Sequence, residues 1–226
     1  MNIPAWSASM LHADPLGLAK TAGVLKRLGC TELHMDVMDG AFVSAFGFPL
    51  NTITTLRAIT EIPVDIHLMI EQPERHIPAC IQTQCTSITL HVEASSHIHR
   101  AVHLVKDAGI QVGIAINAGT PLTKLEYLLP YVDRVHVLLT DYGSPGRNIT
   151  QASFDRVKIL RENIQYHEYR IQISAEGPIQ AKDVAILTKF GVDRIVLDNT
   201  SIFAPGDVEN CTQEFLEACK AEVQTV

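Results

Sequence analysis

Residues 33–40 read Leu33-His34-Met35-Asp36-Val37-Met38-Asp39-Gly40, and residues 64–69 read Val64-Asp65-Ile66-His67-Leu68-Met69. Each is a short apolar run broken by an imidazole or a carboxylate. His34 and Asp36 are two residues apart, so on a strand their side chains leave the same face. Burying such a pair is costly unless something neutralises it.

A helical pattern separates these two runs, and the alternation continues outward in both directions. The sequence predicts strands over residues 3–9, 33–38, 64–69, 87–92, 111–117, 134–139, 170–174 and 194–197. Helical patterns fall at 16–28, 51–58, 73–83, 98–108, 121–129, 151–162, 181–190 and 208–221. Pro73 and Pro121 stand at first-turn positions, and Gly29, Gly109 and Gly191 follow helices where a left-handed residue is wanted. Several strand runs are nearly continuously apolar, which suits parallel strands covered on both faces. Eight strand–helix units predict a closed (β/α)8 TIM barrel. The alternative, an open doubly wound sheet, has little support because no GxGxxG follows the first strand. With no low-complexity stretch and no Gly-, Pro- or Ser-rich linker, residues 1–226 read as one barrel domain.

Composition narrows the function classes. Hydrophobic residues make up 46% and charged residues 19%, which supplies a large core and argues against disorder. The net charge of -7, without any basic cluster, argues against nucleic acid and anionic membrane surfaces as partners. Cys30, Cys80, Cys85, Cys211 and Cys219 are odd in number and form no CxxC pair, so they read as reduced thiols of a cytoplasmic protein. No basic-then-apolar leader opens the sequence, and no apolar run reaches the length of a membrane span.

A barrel gathers its chemistry where the strands end. His34, Asp36 and His67 come from adjacent strand ends, and imidazoles with a carboxylate suit zinc or another borderline divalent ion. A single buried histidine reads as a hydrogen-bonded core residue; three such groups together favour a metal site. His91 and Glu93 read as support for that site. His136, within the sixth strand, reads as structural. His76, His97, His99, His103 and His167 fall on helices or loops and read as surface groups. The fifth strand ends in Asn117, and Ser174-Ala175-Glu176-Gly177 follows the seventh.

At HMDVMDGAF (34–42), DIHLMIEQPERHI (65–77) and ITLHVEA (88–94) the chain resembles the ribulose-phosphate 3-epimerase family. The match runs in order from Ser9-Met10-Leu11-His12-Ala13-Asp14, through residues 112–121, to Thr200-Ser201-Ile202-Phe203. The resemblance implies a ribulose-phosphate-binding barrel and a metal-dependent epimerase of ketose phosphates. In that reaction two acid/base groups invert C3 through a metal-stabilised enediolate. His34, Asp36 and His67 match three metal ligands, and Asp36 also matches one acid/base group. Glu176 falls where the family has an Asp that is the fourth ligand and the second acid/base group. The cofactor implied is a divalent ion, zinc first, with iron or manganese as alternatives. Ser9 matches a serine near the substrate. Met38 and Met69 match two methionines that shield the enediolate; the third would fall at Leu138. Gly143, Gly146, Arg147, Gly177, Asn199 and Thr200 fall in the substrate- and phosphate-binding turns. Family members also associate, which implies a homodimer or higher homo-oligomer.

The sequence departs from the family at defined places. Glu176 adds a methylene to the family Asp. Pro145 and Pro178 each remove a backbone donor from turns that meet phosphate, although Arg147 supplies a cation. Asp198 places a carboxylate just before Asn199 and Thr200, either facing the anion or turned outward. The proton-transfer half is therefore mostly kept and the phosphate half rewritten, as in a divergent relative with a changed substrate. A non-catalytic barrel that binds a sugar or a protein partner is the alternative. A decarboxylase or aldolase ranks last, because such relatives place a Lys beside the strand-end carboxylates and MDVMDG has none. The sequence leaves open which ketose is used, which metal is native, and whether phosphate is bound.

Overall fold

In the computed structural model, which describes residues 2–142 and 148–225, eight parallel strands close on themselves. They are β1 (Ala5–Ser9), β2 (Glu32–Met38), β3 (Val64–Met69), β4 (Ser87–His91), β5 (Gln111–Ile116), β6 (Arg134–Leu138), β7 (Gln172–Glu176) and β8 (Arg194–Leu197). Each pairs with its neighbour in sequence, and β8 returns to β1 through Ala5↔Arg194 and Ala8↔Leu197. Among the described residues the surrounding α-helices are α1 (Leu18–Arg27), α2 (Leu50–Ile59), α3 (Ile77–Gln82), α4 (Ile98–Asp107), α5 (Gln151–Tyr166), α6 (Ala181–Lys189) and α7 (Val208–Gln224). This is the (β/α)8 barrel.

The strands bury two different faces. Leu33, Met35, Val64, Ile66, Leu68, Ile88, Leu90, Val112, Ile114, Val135, Val137, Ile173 and Ala175 join one apolar core with the helices. The residues between them are largely polar and equally buried: Glu32, His34, Asp36, Asp65, His67, Ser87, Thr89, His91, Arg134, His136, Ser174 and Glu176. These reach across the barrel, as where Arg134 of β6 donates to Glu32 of β2 at 2.8 and 2.7 Å. Contacts between strands so far apart in the sheet must cross the lumen. The runs that looked continuously apolar therefore alternate, and the inner face is a polar network in which most groups are hydrogen-bonded, Ser7 Oγ, His34 Nδ1 and Arg194 Nε being exceptions. Burial of charge is tolerable there because the carboxylates lie beside cationic or imidazole neighbours, as Glu32 and Asp65 do beside Arg134.

Local differences from the expected pattern have local causes. Instead of a helix over 121–129, two 3-10 turns, Leu122–Leu125 and Leu129–Tyr131, join β5 to β6. Pro130, in the first turn of the second, has no N–H to donate back to Glu126, so no α-helical hydrogen bond joins it to the first. The segment 73–83 splits into a 3-10 turn (Pro73–Arg75) and the short α3, with Pro78 at the start of the latter. β7 runs two residues later than expected, so Glu176 ends the strand rather than following it. That shift sets Glu176 on the same face as Ser174 and Gln172.

Candidate metal and active site

Four buried side chains meet at the C-terminal mouth. His34 Nε2 lies 3.1 Å from His67 Nδ1 and 3.3 Å from Asp36 Oδ1. His67 Nδ1 lies 3.2 Å from Asp36 Oδ1. Glu176 Oε2 lies 3.6 Å from His34 Nε2 and 3.8 Å from His67 Nδ1. The register explains the meeting: Asp36 is opposite His67 across β2 and β3, and Ser9 is opposite His34 across β1 and β2.

The outer partners fix which ring atoms carry hydrogen. Glu93 Oε2 is 3.1 Å from His91 Nδ1, so that nitrogen donates to it, leaving His91 Nε2 to accept from His67 Nε2 at 2.9 Å. The lone pair of His67 is thereby left on Nδ1, facing the meeting point. Glu93 is itself anchored by the Asn117 backbone N–H at 2.9 Å and by the Thr120 hydroxyl. Burial opposes its charge, but these donors and His91 hold its carboxyl down at about 2. On the other side, His34 Nδ1 stands 3.0 Å from Asp65 Oδ2, off the hydrogen-bond axis. A lone pair facing that carboxylate would be repelled, so Nδ1 carries the hydrogen and Nε2 points its lone pair inward. Asp65 is held in turn by Ser87 Oγ at 2.6 Å and Thr89 Oγ1 at 3.0 Å.

Two imidazole lone pairs and two carboxylate oxygens thus face one another, and none of the four atoms is itself a donor. A cation relieves this, and the set fits a small divalent ion. Ligands bound at 2.0–2.1 Å around a tetrahedral ion stand roughly 3.3–3.4 Å apart, and the five separations above run from 3.1 to 3.8 Å. Without a metal a proton takes that place. Burial lowers the basicity of His34, but Asp36, Asp65 and Glu176 outweigh it and lift its pKa well above the ordinary value.

His136 enters the same cluster. One donor atom each from His34, His67, His136 and Glu176 lies within 4.8 Å of all the others, and all four residues are buried. His136 Nε2 is 2.7 Å from Glu176 Oε2, and its ring stacks on His34 at 5.3 Å between centroids. Its place on the inner face follows from strand parity with Leu138 and Arg134, a signal that a reading confined to strand ends misses. Tyr142 is a second unanticipated neighbour. Burial, and then the charges of Asp36, Glu176 and Asp198, push its phenol far above the ordinary range, so it stays a protonated donor beside the mouth.

The other expected residues divide. Ser9 Oγ donates to Asp36 Oδ2 at 2.7 Å. Met38 and Met69 are paired across β2 and β3 and buried, two residues beyond Asp36 and His67 on the same face. Leu138 is opposite Glu176. Gly177 adopts φ of +150°, with Leu139 Cβ 3.2 Å from where a side chain would begin, so the turn after Glu176 needs glycine. Asn199 and Thr200 are exposed, but the Thr200 N–H and hydroxyl both donate to Asp198 Oδ1, at 2.8 and 2.7 Å. Asp198 is half-buried; burial first, and then Glu176, raise its pKa. Gly143, Pro145, Gly146 and Arg147 lie outside the described residues.

Gly47 braces the site from behind. A Cβ there would come within 2.2 Å of the Asp36 carbonyl oxygen, which accepts the Phe48 N–H at 2.8 Å. Gly47→Ala must therefore displace the backbone that carries Asp36. We expect zinc affinity, read by competition with a chromophoric chelator, to fall by about tenfold or more; unchanged affinity would show that the loop yields instead.

The chain matches the model of the ribulose-phosphate 3-epimerase family over residues 5–203. It is 32% identical over 206 residues to a ribulose-phosphate 3-epimerase of Aquifex aeolicus (strain VF5), covering 91% of this chain and 92% of that protein. It is 32% identical over 188 residues to the Treponema pallidum (strain Nichols) enzyme of the same name, covering 83% and 86%. Among solved structures, a 3-hexulose-6-phosphate synthase superposes with a TM-score of 0.72 at 14% identity, over 95% of this chain and 99% of that one. A 3-keto-L-gulonate-6-phosphate decarboxylase from Vibrio cholerae gives 0.73 at 11% identity, over 100% and 99%. Those two likenesses speak for the barrel fold alone. By the family match, and by its 32% identity to two curated epimerases over 83–91% of its length, this chain belongs to the ribulose-phosphate 3-epimerase family.

Proposed function

We propose that this protein is a metal-dependent epimerase that inverts C3 of a ketose or ketose phosphate. The observation that carries the reading is the convergence of four acceptor atoms, His34 Nε2, His67 Nδ1, Asp36 Oδ1 and Glu176 Oε2, on one point at the barrel mouth. In this reading those four residues hold the ion, with zinc the first candidate and iron or manganese the others. A resident ion supplies Lewis-acid stabilisation of the oxygen charge that develops when C3 loses its proton. Asp36 takes the proton from one face of C3, and Glu176 returns one to the other. Two groups spare a single base from crossing the plane of the sugar. Ser9 orients Asp36, and Met38 and Met69 keep water from the reacting face. The test is NMR in deuterated water with a panel of ketoses and ketose phosphates plus zinc, manganese or iron. Deuterium uptake at C3 is expected; its absence across the panel would sink the reading.

Asp198 supports a second reading, a substrate-switched or sugar-binding relative. Its carboxylate takes the Thr200 amide that would otherwise be offered to an anion, and it brings negative charge towards Glu176. Asp198→Ala removes one unit of charge and frees two donors. Calorimetry with ribulose 5-phosphate or sulfate should then show roughly five- to tenfold tighter binding. Asp198→Asn, which keeps an acceptor for Thr200, should recover only the charge part. Unchanged or weaker binding in both would place Asp198 away from the anion.

The five cysteines are free thiols, and no helix among the described residues is long and apolar enough to cross a membrane. The free thiols suit the proposed reducing, cytoplasmic setting. The protein is further expected to form a homodimer, and light scattering that returns a monomer mass at micromolar concentration would count against that.

A further inference from the structure

We propose that His136 is a positioning residue that seats the Glu176 carboxylate in the metal's donor set as an N–H donor, without being a ligand itself. The inference rests on the metal site of the proposed function but not on the reaction assigned to it.

His136 is 1% exposed, and both ring nitrogens are engaged. Nε2 is 2.7 Å from Glu176 Oε2, the same oxygen that faces His34 and His67. Nδ1 is 3.2 Å from Ser174 Oγ. One tautomer satisfies everything: Nε2–H donates to the carboxylate, and Nδ1 accepts from the Ser174 hydroxyl. A nitrogen carrying that hydrogen has no lone pair for a metal. The spacing agrees. The 2.7 Å separation from Glu176 is of hydrogen-bond length and shorter than the roughly 3.3 Å between tetrahedral ligands. Asp36 Oδ1, at 3.3 and 3.2 Å from the two imidazole nitrogens, takes the ligand position instead.

The need for such a residue follows from Glu176 itself. A glutamate has one more rotatable bond than an aspartate, so its carboxylate sweeps a wider volume. A hydrogen bond from a ring locked by Ser174, with His34 stacked on it, confines one oxygen to the position from which it can bind. Partners of this kind commonly alter metal affinity 10- to 100-fold.

The experiment titrates metal-stripped protein with cobalt(II) alone and follows the visible d–d absorption, for wild type, His136→Leu, His136→Gln and Ser174→Ala, with circular dichroism to confirm folding. His136→Leu should bind cobalt about 10- to 100-fold more weakly, yet show wild-type band positions at saturation, because the ligands are the same. His136→Gln, which retains an N–H donor, should restore affinity to within several-fold. Ser174→Ala, which frees the ring, should weaken binding several-fold with unchanged bands. Shifted bands in both His136 variants would make His136 a ligand and overturn the proposal. Wild-type affinity in His136→Leu would also overturn it, as would wild-type affinity in Ser174→Ala should His136→Leu not fold. A wild type that takes up no cobalt defeats the metal site and this role together. Cobalt uptake without C3 exchange defeats only the epimerase reading.

Discussion

Asp36→Asn is expected to abolish C3 proton exchange, by about 10³-fold or more, while the barrel stays folded. The substitution keeps the size of the side chain and an oxygen able to accept from Ser9 Oγ, now 2.7 Å from Asp36 Oδ2. It removes the group assigned to take the proton, which by itself accounts for a factor of about 10² to 10⁴. It also removes one of the two negative charges facing the imidazole lone pairs, so metal affinity falls. The two effects separate by assaying at saturating metal, fixed beforehand by a chelator-competition titration. Deuterium incorporation at C3 is the readout. Exchange near the wild-type rate with the metal site filled would mean that a different residue is the base. Because Asp36 is fully buried beside two histidines, thermal unfolding must accompany the assay.

How far the sequence reaches depends on what each signal encodes. Strand and helix alternate through periodicity, so all eight strands fall within two or three residues of their expected positions. Where a proline changes the local hydrogen bonding, as at Pro130, periodicity misleads. The pairing of His34 with Asp36 was legible because spacing by two sets a common face, and His67 because it falls at the end of the next strand; the structure then sets it opposite Asp36. Glu176 was found through resemblance, although it was placed after its strand rather than at its end. His136 was read as structural and Asp65 was given no role, because a single His or Asp inside a strand has no local mark of function. What they do depends on which residues barrel closure brings to them, from the neighbouring strand in the case of Glu176, 40 residues on from His136, and from across the lumen in the cases of His34 for His136 and Arg134 for Asp65. Gly47 was silent for the same reason: its constraint is the Asp36 carbonyl, eleven positions back in the chain and in contact only after the loop folds over.

Arg134→Met is expected to destabilise the fold by about 3–5 kcal/mol, the usual cost of removing one partner from a buried ion pair. Arg134 donates to Glu32 through two nitrogens at 2.8 and 2.7 Å, and Asp65 lies 3.8 Å away. Glu32 and Asp65 are 3% and 0% exposed, so water cannot take the guanidinium's place. Arg194 softens the loss only in part, since its Nε sits 3.6 Å from Glu32 Oε1 and is not hydrogen-bonded. At about 2–4 °C per kcal/mol for a chain of this size, the melting temperature should drop by roughly 6–20 °C. Pairing it with Glu32→Leu should recover most of the loss, because an apolar pair of similar volume often matches a buried ion pair. Asp65 would then keep Ser87, Thr89 and His34 as partners. Chemical denaturation of wild type, the single variant and the double variant decides the matter. A single variant within about 1 kcal/mol of wild type would show that the bidentate pair adds little, and a double variant no better than the single would assign the loss to packing. The same variants bear on the mouth, since Asp65 stands between Arg134 and His34. If the lumen network orients the site, the double variant should regain stability while binding zinc less tightly than wild type, because Asp65 has then lost its cationic neighbour and is held less firmly against His34.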